Sequence, residues 1–89
     1  MKNYWLKVAF YAILKGDDTQ VGEACKNLDQ LECSWIIQNH VFQKATLVRH
    51  NFKSEPNPEY VSDYIHRVLE TGKQQSLYLE EIHLPGVSI

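Results

Sequence analysis

Between Tyr4 and Leu14 the chain reads YWLKVAFYAIL, with Lys7 as its one charged residue, and Lys15-Gly16 closes the run. At a period of two, Leu6, Val8, Phe10, Ala12 and Leu14 share one face, and Trp5, Lys7, Ala9, Tyr11 and Ile13 share the other. Both faces are mostly apolar, which suits a central strand covered on one side and partly covered on the other. The aromatic and β-branched side chains also suit a pleated surface. A helix from an Asn3 N-cap to Gly16 at C′ is the competing reading, because so short an apolar run does not separate the two by period. The strand is preferred, since the aromatics would surround a helix on all sides.

After Gly16, any of Asp17, Asp18 and Thr19 can cap a helix, and Glu23 is placed for its first turn. Val21, Ala24, Cys25, Leu28 and Leu31 recur at helical spacing, while Lys26, Asn27, Asp29 and Gln30 point away. This predicts an amphipathic helix of about three to four turns. From Cys33 to Phe52 the residues Trp35, Ile36, Ile37, Val41, Phe42, Thr46, Leu47 and Val48 favour strands. The stretch is too long for one strand, which predicts a hairpin turning at Gln38-Asn39-His40 or at Gln43-Lys44. Continuation of the preceding helix through Gln38 is the alternative.

Lys53 to Pro58 reads as a loop. Asn57 then caps a helix with Pro58 at N1 and Glu59 in the first turn, running to about Thr71. Val61, Ile65, Val68 and Leu69 form its apolar face, helped by Tyr60 or Tyr64, and Gly72 sits where a C′ glycine belongs. Ser76 to Leu84 alternates as a last strand before Pro85-Gly86. The order strand, helix, strand, strand, helix, strand resembles the ferredoxin-like (βαββαβ) arrangement, an α+β fold. That resemblance implies an antiparallel sheet with two helices on one face and the other face open. It is a likeness of topology and carries no function.

At 89 residues the chain is expected to form a single compact domain over 1–89. Its formal charge of −2 is too balanced to steer it to phosphate or to an anionic membrane. No apolar run is long enough to span a bilayer. Cys25 and Cys33 make no CxxC pair and no disulfide framework, so both are read as reduced, in a cytoplasmic protein. Nothing points to a cofactor: the four glycines form no phosphate loop.

Asp17 and Asp18 follow the first strand, where ferredoxin-like metal nucleases place an acidic residue, but they also suit a helix cap. His40, His50, His66 and His83 lack metal-ligand spacing. RNA-recognition domains share the expected topology and stack bases on sheet aromatics, for which Trp5, Tyr11, Phe42, Arg49, His50 and Phe52 are candidates. KATLVRHNF lacks the glycine and aromatic signature of those domains. No nucleophile has a base beside it in sequence.

The expectation is therefore a non-enzymatic binding or regulatory domain, of inhibitor, antitoxin or anti-defence type, that occupies a surface of another protein or pairs as a homodimer. Its partner-binding residues are expected to be Trp5, Lys7 and Tyr11 on the open sheet face, with Glu23 and Asp29 on the acidic helix. Single-stranded nucleic-acid binding and a small metal-dependent nuclease are the alternatives.

Overall fold

The computed structural model describes residues 1–51 and 55–74, and among these there are four α-helices and no strand. They are α1 (Lys2–Lys15), α2 (Asp18–Gln30), α3 (Trp35–Asn51) and α4 (Pro58–Gln74). The expected α+β ferredoxin-like sheet is thus overturned. The predicted last strand, Ser76 to Leu84, lies outside the described residues.

The correction begins with the first apolar run. α1 packs against α2, α3 and α4, and α3 also packs against α4. A helix that is apolar all round is a buried helix. Leu6, Ala9, Phe10 and Ala12 are fully buried, and Trp5, Tyr11, Ile13 and Leu14 pack against the core from the flanks. The aromatics do surround the helix: three neighbouring helices take up Phe10 and the flanking Trp5 and Tyr11, and Tyr4 stays exposed. The helix starts two residues earlier than an Asn3 cap allows: Met1 is the cap residue, and its carbonyl accepts from the Trp5 N–H at 3.1 Å.

Both short connections around α2 use the same device. Gly16 has φ 75°; its N–H donates to the Ile13 carbonyl, and the Asp17 N–H donates to the Ala12 carbonyl. This is the paired closure of a Schellman motif, with glycine at the left-handed position. Asp17 then turns the chain, its side chain accepting from the Gln20 N–H at 3.1 Å as the N-cap of α2. At the far end of α2 the Glu32 N–H reaches the Asp29 carbonyl and the Cys33 N–H reaches the Leu28 carbonyl. Here the left-handed residue is Glu32, φ 58°, where a side chain is disfavoured. Leu28 and Cys33, both buried, supply the apolar contact that accompanies this motif.

Ser34 then caps α3, its Oγ accepting from the Ile36 N–H at 3.2 Å. The predicted hairpin over Cys33–Phe52 is therefore replaced by one continuous helix to Asn51, and α2 does not run through to Gln38. The buried residues of α3, from Ile37 to Val48, cover about 160° of its circumference at ~100° per residue. That arc contains Gln38, His40 and Lys44, and these polar residues mask the helical period in the sequence.

α4 begins as predicted. Asn57 Oδ1 accepts from the Glu59 N–H at 2.8 Å, and Val61, Ile65 and Val68 are buried. Gly72 does not end the helix, which continues to Gln74. It allows a close approach instead: a Cβ there would lie 2.6 Å from Ile37 Cδ1. Gly22, within α2, has open space around it. Gly22→Ala is expected to stabilise the fold by about 0.5–1 kcal/mol, because it relieves only the helix penalty of glycine. A lower urea midpoint for the variant would contradict this placement.

Candidate functional site

Two features stand out from an ordinary helical core: a polar cluster shut inside it and an apolar edge left outside it.

The cluster lies on the seam between α3 and α4. The Tyr64 hydroxyl is 2.7 Å from His40 Nδ1 and donates to the His40 carbonyl at 3.2 Å. Both bonds form together only when Nδ1 carries a hydrogen, since the hydroxyl has one proton to give. The His40 ring stacks on Tyr64 at 5.9 Å, and the Phe10 ring meets Tyr64 from α1 at 6.2 Å. Lys44, one turn beyond His40, is fully buried, with Nζ 5.3 Å from the centre of the Tyr64 ring. That nitrogen has no hydrogen-bond partner among the described residues. Burial pushes the Lys44 amine below its ordinary range, and burial, then Tyr60, pushes the Tyr64 phenol well above its own. Nearer the α2–α3 turn, the Gln38 amide donates to Asp29 Oδ1 at 2.9 Å and to the Cys33 carbonyl at 3.0 Å, which locks that turn to α3.

The edge is the first turn of α3. Trp35 is 67% exposed and Ile36 42% exposed, although the next residue, Ile37, is buried. Tyr4 on α1 is also exposed, its ring edge-on to Trp5 at 5.1 Å. Beside the α3 edge lies an open groove of about 540 Å³ whose walls include Lys2, Glu32, Ser34, Ile37, His66 and Glu70. The edge is thus rigidly mounted, between a Ser34 cap and a core turn.

The residues expected to bind a partner do not meet on one surface. Trp5 is half-buried and packs against the core, about 160° around α1 from Lys7 at ~100° per residue. Lys7 and Tyr11 are half-buried and one turn apart. Burial, then Glu55, raises the Tyr11 phenol above its ordinary range. Glu23 and Asp29 are exposed on α2, and Asp29 is engaged by Gln38. The open sheet face that was to gather Trp5, Lys7 and Tyr11 does not exist, because α1 is a helix.

The other candidates are dispersed in the same way. Asp17 is a helix cap. His40 is buried, His50 and His66 are exposed, and His83 lies outside the described residues. No three His, Cys, Asp or Glu side chains among the described residues converge as a metal site. Trp5, Tyr11, Phe42, Arg49 and His50 sit on two helices rather than on a sheet, and Phe52 lies outside the described residues. Arg49 instead donates from Nη1 to the Ile13 carbonyl at 3.4 Å, a cation at the C-terminus of α1. Cys25 and Cys33 are free, and burial raises both thiols.

Sequence reasoning missed Trp35, Ile36 and Lys44. A signal for the first two was present. Ile37, Val41, Ala45 and Val48 recur at helical spacing after a serine, and Trp35 and Ile36 fall off that stripe.

The fold and its surface define a small helical domain whose polar chemistry is closed in and whose apolar edge is open. Comparison with family models, with curated proteins and with solved structures finds no match to this chain. Among the described residues no helix is long and apolar enough to cross a membrane.

Proposed function

We propose that this chain is a non-enzymatic regulatory domain that acts by protein–protein contact, with Trp35 and Ile36 as its anchor. The observation that carries the reading is the exposure of these two large apolar side chains on a capped, core-backed helix turn. Leaving them in water forgoes hydrophobic burial, and a partner with an apolar cleft recovers it. Tryptophan is enriched among interface residues that dominate binding, because it offers much apolar area and loses little conformational freedom. The rigid mount reduces the ordering cost of association. His40, Lys44 and Tyr64, the groups suited to acid–base work, are closed off in the core, which favours binding over catalysis. The two free thiols suit a reducing compartment, and we place the protein in the cytoplasm.

The test compares the wild-type chain with a Trp35→Ala, Ile36→Ser double variant, each used to capture proteins from the native host. The variant is expected to melt within a few degrees of wild type, since both side chains are exposed. It is expected to lose the captured partner, with a Kd roughly 30-fold weaker, as removal of about 2 kcal/mol implies. Sedimentation of both proteins shows whether that partner is a second copy of the chain. Equal capture and equal self-association by the two proteins would refute the anchor.

A further inference from the structure

Lys44 is a lysine in the place of a core residue. It occupies the buried arc of α3 between Val41 and Ala45, is fully buried, and faces an aromatic ring rather than a carboxylate. Its amine forms no hydrogen bond among the described residues. An ammonium in that position loses its hydration, and a ring face returns only part of it. A buried charge without an opposite charge is among the most unfavourable features a core can hold. The titratable groups at the seam are His40 on α3 itself, and Tyr60 and Tyr64 on α4, while α1 reaches it through the apolar Phe10. Burial alone accounts for the lowered basicity of the amine, with no neighbouring charge contributing.

We propose that Lys44 is a proton-operated latch on the α3–α4 seam. The closed seam favours the neutral form of the amine. Proton uptake by that amine favours a state in which α4 moves off α3 and the ammonium meets water. A lysine in an open or unfolded chain keeps its proton up to about pH 10.4. Between the lowered value in the closed fold and that ordinary value, the open state holds a proton that the closed state lacks. Stability therefore rises with pH across this window, and below it the full penalty of the buried amine is present. The latch moves α4, whose His66 and Glu70 wall the groove beside the Trp35 edge, and its test by Lys44→Met leaves Trp35 and Ile36 themselves unchanged.

Melting temperatures of wild type and Lys44→Met, measured together from pH 7 to pH 10, test the proposal. Methionine is close in length and carries no charge. At pH 7 the variant is expected to melt higher and to protect its α4 amides better from hydrogen exchange. The gap is expected to shrink as pH approaches 10. The raised thiols and phenols weaken both proteins at high pH, and the difference removes the part of that loss that does not depend on Lys44. A gap that is constant with pH, or a variant that melts lower throughout, would overturn the latch. NMR titration of lysine side chains in the wild-type protein decides the matter even if the variant does not fold. One lysine titrating below the others, and assigned to Lys44, supports the latch, and Lys44 titrating with the exposed lysines removes it.

Discussion

Phe10→Ala is expected to lower the stability of the fold by roughly 3–5 kcal/mol. Phe10 is fully buried on the helix that every other described helix touches, and its ring lies 6.1 Å from Tyr11 and 6.2 Å from Tyr64. Truncation removes the transfer free energy of a phenyl group and leaves a cavity that α2, α3 and α4 cannot all close at once. A domain of this size has about 4–13 kcal/mol in total, at roughly 0.05–0.15 kcal/mol per residue. The variant should therefore stand near the edge of folding. Urea titration followed by far-ultraviolet circular dichroism reads the loss directly. Phe10→Leu, which keeps most of the volume, should lose clearly less. An unchanged midpoint in Phe10→Ala would mean that α1 is not the centre of the fold.

Ile65→Ala is expected to cost about 2–5 kcal/mol, and Ile65→Val only about 0.5–1.5 kcal/mol. Ile65 is fully buried one residue from Tyr64, on the helix that closes the seam over Lys44. The graded pair separates burial from helix propensity, because alanine is the better helix former and valine the worse. His66, the next residue, is exposed, so His66→Ala should move the midpoint by no more than about 0.5 kcal/mol. A loss at His66 equal to that at Ile65 would place the buried face of α4 elsewhere. These two core predictions are independent of partner binding, so a failed capture experiment leaves them standing.

Helices α2 and α4 were legible in the sequence, and for the same reason. Each has a side-chain cap at its start and an apolar stripe on one face. Asn57, Pro58, Val61, Ile65 and Val68 stand in the structure where local rules put them. Asp17 was among the capping candidates, and the turn at Gly16 was marked by its glycine. The candidate site was hardly legible. A period of two joins Trp5, Lys7 and Tyr11, and the helix keeps Lys7 and Tyr11 one turn apart but turns Trp5 away from them.

What the sequence by itself determined is the turn at Gly16, the cap at Asn57 and the two helices with one wet face, because caps, a left-handed glycine and amphipathic stripes act over a few neighbouring residues; the turn at Glu32 carries no such mark. What only the tertiary structure decided is the state of α1 and α3. α1 is apolar on nearly every side, and its helical state depends on the three neighbours that pack against it. α3 carries Gln38, His40 and Lys44 inward and Trp35 and Ile36 outward, against the usual partition of polar and apolar residues. A periodic reading fails there because Gln38 and His40 are accommodated by Asp29, Cys33 and Tyr64, which lie 5 to 24 residues away along the chain. Those partners come together only when the helices pack.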